Sequence, residues 1–165
     1  MALACALAIS VSALAAGAAQ ADGGFTPIKN PNNGKCLQPA SNADAARIIQ
    51  KTCNGTSAQT WLSIPVGTNH FRFQNFDSRL CFDAFDGAFN GARLLQGSCA
   101  GISNEEFNTG ARLPGLVKLE TRVGFRDTGF CVDIPNDDPT EDKAMQIFRC
   151  NGTTAQQWLV GFVNP

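Results

Sequence analysis

Along this chain the apolar positions come in short runs. Examples are Arg47-Ile48-Ile49-Gln50-Lys51, His70-Phe71-Arg72-Phe73-Gln74, Leu116-Val117-Lys118-Leu119-Glu120 and Met145-Gln146-Ile147-Phe148. Several alternate apolar with polar, the period of a strand with one face buried. Turn-forming clusters separate them: Asn30-Pro31-Asn32-Asn33-Gly34, Phe85-Asp86-Gly87, Phe89-Asn90-Gly91, Asp127-Thr128-Gly129 and Pro135-Asn136-Asp137-Asp138-Pro139. No window of twelve or more residues carries a helical apolar stripe. Short strands at a spacing of about ten residues predict an all-β domain.

Over this pattern lies a longer one. Cys36…Cys53…Gln59-x-Trp61 is followed by Cys81…Cys99…Glu105-x-Phe107 and by Cys131…Cys150…Gln156-x-Trp158. The cysteines of each copy are 17, 18 and 19 residues apart, and the aromatic follows the second cysteine by 8 every time. A recurrence of this length marks one supersecondary unit used three times, each too small to bury its apolar face alone. The repeats run approximately over residues 25–66, 67–113 and 114–163, with room for four short strands in each and about twelve in all.

Residues Leu3 to Ala19 are uncharged and almost all Ala, Leu, Val, Ile, Ser and Gly, and Ala19-Gln20-Ala21 is a small-x-small site. We read residues 1–21 as a secretory signal cleaved before Asp22, leaving a single domain over 22–165. The run is too short and too rich in alanine for a membrane anchor. Removal of Cys5 with it leaves six cysteines in an exported chain, which favours disulfides. Six cysteines allow 15 pairings. The repeat singles out the symmetric one, Cys36–Cys53, Cys81–Cys99 and Cys131–Cys150. Zinc is disfavoured: there is no Cys-x-x-Cys, and the only histidine is His70.

Charge and chemistry then exclude whole classes of function. The formal charge is −1, so no basic field would attract nucleic acid or an anionic membrane. A catalytic triad or Cys–His pair would need His70, which falls in an expected strand, and no motif singles out two carboxylates. We therefore expect no enzyme and no cofactor. The stretch Asp137-Asp138-Pro139-Thr140-Glu141-Asp142 lacks the spacing of a calcium-binding helix–loop–helix and reads as a solvated hairpin tip. Asn54-Gly55-Thr56 and Asn151-Gly152-Thr153 are glycosylation sequons, relevant only in a eukaryotic host.

The runs Gly34-Lys35-Cys36-Leu37, Leu80-Cys81-Phe82-Asp83 and Gly129-Phe130-Cys131-Val132-Asp133 resemble the Cys-hydrophobic-Asp element of ricin-B-type lectin domains. Cys150-Asn151-Gly152-Thr153-Thr154-Ala155-Gln156-Gln157-Trp158 is similar to that family's Gln-x-Trp repeat end. The resemblance implies a β-trefoil with six strands in a short barrel and six in hairpins capping it. It also implies that Trp61, Phe107 and Trp158 pack in the core while the glutamines support a turn.

The resemblance further implies one sugar site per repeat: the Asp two residues after the first cysteine, an aromatic two before the second, and an Asn or Gln in the repeat end. The carboxylate accepts sugar hydroxyls while the aromatic stacks on the ring's C–H face. The first repeat has Gln38, Lys51 and Ala58 at these positions and is expected to be blank. The second has Asp83 and Asn104, but Gly97 replaces the aromatic, with Phe85 or Phe89 as a substitute. The third has Asp133, Gln146, Phe148 and Gln156, with Ala155 in place of the Asn, and is the leading candidate. With no tyrosine and both tryptophans assigned to the core, stacking falls to Phe148. A single site should then be weak, about 0.1–1 mM, with useful affinity from multivalency. The expected protein is a secreted monomer that binds galactose- or xylose-type carbohydrate. The rival is a degenerate trefoil that docks a protein partner, as a toxin-accessory subunit or inhibitor does.

Overall fold

The computed structural model describes residues 24–161. The proposed signal segment, Cys5 and the last four residues lie outside the described residues. The first repeat consists of β1 (Thr26–Lys29), β2 (Lys35–Pro39), β3 (Ile48–Thr52) and β4 (Thr60–Gly67). The second follows with β5 (His70–Asn75), β6 (Cys81–Asp83), β7 (Ala92–Arg93), β8 (Leu95–Gly97) and β9 (Phe107–Asn108). The third comprises β10 (Gly115–Val117), β11 (Glu120–Val123), β12 (Arg126–Asp133), β13 (Gln146–Arg149) and β14 (Trp158–Val160).

The twelve expected strands become fourteen because two of them are interrupted. Leu94 separates β7, which pairs with β13 of the third repeat, from β8, which pairs with β6 of its own. Lys118 and Leu119 separate β10, on β14, from β11, on β9 and β12. In both cases one strand serves two partners facing different ways, and the buried leucine (Leu94 or Leu119) at the break turns into the core.

The first strand of each repeat pairs with the last strand of its own repeat and with that of the repeat before. Thus β1 lies between β4 and β14, β5 between β4 and β9, and β10–β11 between β14 and β9. Pairing every strand on both sides closes a six-stranded barrel and removes its exposed edges. The hairpins β2–β3, β6–β8 and β12–β13 cap one end and meet through the bridges Ile49↔Ala144, Arg47↔Leu95 and Ile147↔Ala92. The architecture is a β-trefoil.

Trp61, Phe107 and Trp158 are fully buried among Ile28, Leu37, Phe73, Phe82, Leu119 and Val132. The indole N–H of Trp61 donates to the Leu37 carbonyl at 2.9 Å and that of Trp158 to the Val132 carbonyl at 3.2 Å, so neither polar edge is stranded. Burying each such ring contributes roughly 2–3 kcal/mol. The disulfides are Cys36–Cys53, Cys81–Cys99 and Cys131–Cys150, one per repeat. Each ties a capping hairpin to the loop before the last strand, with about 3 kcal/mol of stabilisation in the chain-entropy account.

Candidate functional site

The repeat-end motifs build the same device three times. A single 3₁₀ turn precedes each last strand: Ser57–Gln59, Ser103–Glu105 and Thr154–Gln156. Gln59 and Gln156 are almost completely buried. Gln59 accepts the backbone N–H of Asn54 at 2.9 Å and donates to the Thr52 carbonyl, while Gln156 accepts that of Asn151 at 2.8 Å and donates to the Arg149 carbonyl. The same amide nitrogen also reaches the hairpin: Gln59 Nε2 donates to Gln38 Oε1 at 3.0 Å, and Gln156 Nε2 to Asp133 Oδ2 at 3.0 Å. A glutamine suits this place because its amide accepts on one atom and donates from the other.

In the third repeat, β12 and β13 place Asp133 opposite Gln146, and Cys131 opposite Phe148. Asp133 retains 5% of its accessible surface. Gln146 Nε2 donates to its Oδ1 at 2.7 Å, so two amides from two elements hold the carboxylate. Burial pushes the Asp133 carboxyl up from its ordinary range, and the two amides pull back. Each oxygen keeps a second lone pair for an incoming hydroxyl. Asp133 opens onto a cleft of about 420 Å³ lined also by Gln146, Phe148, Asn136, Asn151 and Thr153. Gln156 stands behind Asp133, outside this cleft, and so positions the carboxylate instead of lining the opening.

Asn136, Asn151 and Thr153 line the cleft beyond the residues that the resemblance implies. Asn136 enters through the left-handed conformation (φ 61°) after Pro135, which brings its side chain back beside Asp133. Asn151 and Thr153 lie in a sequon whose local role is a turn: Asn151 Oδ1 accepts the Thr153 N–H at 3.0 Å and its hydroxyl at 2.8 Å. The available signal was that Asn54-Gly55-Thr56 repeats this turn at the same place in the first copy.

In the second repeat, Asp83 lies opposite Leu95, and Cys81 opposite Gly97. Asn104 Nδ2 donates to Asp83 Oδ1. Glu105 stands where the other copies have glutamine, and its two oxygens accept the N–H groups of Ala100 (2.9 Å) and Gly101 (2.8 Å). A carboxylate has no hydrogen to give Asp83. Burial, helped by the charges of Glu105 and Asp44 and opposed by the Asn104 amide, pushes the Asp83 carboxyl up to about 6. The adjoining cleft, about 410 Å³, is lined by Asp83, Phe85 and Ile102 but not by Phe89.

The first repeat is differently occupied. Gln38 is engaged by Gln59, Ile49 lies buried at the position of Gln146, and Lys51 pairs with Asp142 at 3.1 Å. The acidic stretch is stitched to its surroundings: Asp138 holds Lys143 at 2.8 Å, and Glu141 holds Lys35 and the Thr52 hydroxyl. His70 lies in β5 and meets Asp127 at 3.1 Å.

A sequence family described as ricin-type beta-trefoil lectin domain-like matches residues 16–97, through the capping hairpin of the second repeat. A designed three-fold symmetric protein, ThreeFoil, superposes with a TM-score of 0.74 at 24% identity, over 83% of this chain and 96% of that one. An exo-β-1,3-galactanase from Clostridium thermocellum gives 0.71 at 26% identity, over 81% of this chain and 29% of the enzyme. The Rhizoctonia solani agglutinin gives 0.67 at 19% identity, over 81% and 90%. No curated protein sequence matches the chain. Fold, repeat ends and family match together define a ricin-type lectin-like trefoil. Over residues 16–97 the chain matches that family, and the trefoil fold continues through the rest of the described residues.

Proposed function

We propose that this chain is a secreted, non-catalytic carbohydrate-binding protein whose principal site is the third-repeat cleft. The observation that carries this reading is Asp133: a nearly buried carboxylate, held by the Gln146 and Gln156 amides and facing a cleft with Phe148 on its wall. Fixed acceptors beside an apolar ring suit a ligand with hydroxyls on one edge and C–H groups on a face. Galactose- or xylose-type residues are the proposed ligands. The family match supports the reading, as do the galactanase and agglutinin likenesses.

The test is a glycan array followed by isothermal titration of each hit, comparing the protein with an Asp133→Ala/Phe148→Ala variant whose thermal unfolding is checked. Binding should vanish in the folded variant. Sugar binding that survives at full strength would remove the third repeat from the proposal. A second reading, a trefoil that docks a protein, draws on Val123 and Phe125, exposed at the tip of the β11–β12 hairpin, and on exposed Phe85 and Phe89. On that reading the array is blank and a single protein co-purifies.

A further inference from the structure

The second-repeat cleft differs from the third in charge and in the state of its aspartate. Asp83 retains 8% of its surface, yet only one of its oxygens has a partner. Oδ1 accepts from Asn104, while Oδ2 accepts no hydrogen bond and faces the cleft beside Gly97. A Cβ at position 97 would lie 2.8 Å from that oxygen. The glycine is therefore more than a missing platform: any larger residue would crowd the open oxygen. That oxygen is open to the cleft, so a ligand that brings a donor can reach it and complete the hydrogen bonding of the carboxylate.

The charges around this oxygen decide which donor. Asp44, on the loop between β2 and β3, lines the cleft and is exposed, with no ion pair among the described residues. Glu105 lies at the cleft's floor, fully buried, with both oxygens bound by backbone N–H groups. On the far side, Arg93 is claimed by Asp86 through two bonds of 2.6 and 2.7 Å. Arg47, behind it, donates to the Met145 carbonyl at 3.3 Å. Among the residues lining the cleft, three carboxylates (Asp44, Asp83 and Glu105) thus face one guanidinium, Arg93, which Asp86 already bridges. A cleft with an excess of one sign and apolar walls concentrates the opposite charge. Those walls are Phe85 (68% exposed) and Ile102 (47% exposed).

Resting on the carbohydrate reading of the fold, we infer that the second-repeat cleft binds a sugar carrying a free, protonated amino group. The ammonium donates to Asp83 Oδ2 within reach of Asp44, and the C–H face of the ring packs on Phe85. An ammonium supplies three donors and the compensating charge at once, where a neutral hydroxyl supplies one donor and no charge. Asn104, at the edge of the same carboxylate, holds it in place as Gln146 and Gln156 hold Asp133.

The test is to titrate the protein at pH 7 with galactosamine, N-acetylgalactosamine and galactose, at low and at physiological salt. Galactosamine should bind about tenfold more tightly than its acetylated, uncharged counterpart, and added salt should narrow the gap. Asp83→Asn, which keeps the bond from Asn104, should abolish the preference. Asp133→Ala should leave it intact, although binding of neutral sugars is lost. The preference should fade as pH falls through about 6, where Asp83 takes up its proton.

Equal binding of the three sugars would overturn the inference, as would a preference that survives Asp83→Asn. Tighter binding of a lysine-containing peptide than of galactosamine would overturn it in favour of a protein ligand. Loss of neutral-sugar binding to the unmodified protein, with the amine preference intact, would count against the third-repeat site alone.

Discussion

The second and third repeats present the same aspartate at the same place in the same hairpin, and they differ in what stands behind it. Behind Asp133 is Gln156, which gives a hydrogen to the carboxylate. Behind Asp83 is Glu105, which gives none and adds a negative charge. Beside Asp133 is Phe148, a ready-made wall, and beside Asp83 is Gly97, an opening. One oxygen-for-nitrogen exchange and one lost side chain thus turn a fully supported carboxylate into a half-supported one with a second acidic group behind it. Repeats that share a fold need not share a ligand.

Exchanging the supporting residue should break the comparison most severely. Gln156→Glu would remove the donors to Asp133 and to the Arg149 carbonyl and place two carboxylates together in a buried site. We expect a loss of about 3–4 kcal/mol at pH 7 and third-repeat sugar binding reduced more than about tenfold, read by urea unfolding and titration calorimetry. The loss should shrink at pH 4. A variant as stable as its parent would show that the amide does not support Asp133.

Filling the opening comes next. Gly97→Phe should cost about 1–3 kcal/mol, because its Cβ would meet Asp83 Oδ2 at 2.8 Å. Much of that cost should disappear on an Asp83→Ala background, so a double-mutant cycle should report strong coupling. Additive effects would place the strain elsewhere.

The pH dependence of Asp83 sharpens the comparison more gently. Its carboxyl sits at about 6 in the folded protein against an ordinary 3.8, so the folded state holds the proton more tightly than the unfolded one. The stability from this group is complete below about pH 4 and is lost as pH rises through 6. Asp83→Asn removes that loss. The variant should be more stable by about 1–3 kcal/mol at pH 7.5 and no more stable at pH 4, with thermal melts at the two pH values as the measurement. A stabilisation independent of pH would contradict the assignment.

The smallest expected effect on folding is that of Phe148→Ala, whose ring is only partly buried at the cleft wall. It should cost less than about 1 kcal/mol while weakening the third-repeat site markedly. A large drop in melting temperature would make Phe148 a core residue instead.

Much of this molecule was legible in the chain because its signals are periodic. Three spaced cysteine pairs, each followed at a constant distance by Trp61, Phe107 or Trp158, are local patterns that survive without knowledge of neighbours. The resemblance to ricin-B-type lectins, laid over that spacing, pointed to Asp83 and Asp133, Phe148 and the glycine at 97. What stayed hidden was relational. That Gln156 supports Asp133 from behind depends on a contact across 23 residues. That Asn136 and Asn151 share a cleft depends on two turns folding toward each other. The breaks at Leu94 and at Lys118–Leu119 arise because one strand must answer two partners, a demand set by the closing barrel.

The sequence by itself thus determined the three-fold architecture and the disulfide pairing through its spacing, and the core aromatics through the family its repeats resemble. Only the tertiary structure decided which polar side chain lines a cleft and which holds its neighbour from behind. The physical reason is that a hydrogen bond is read over about 3 Å in space, and no periodicity along the chain records which donor will arrive there.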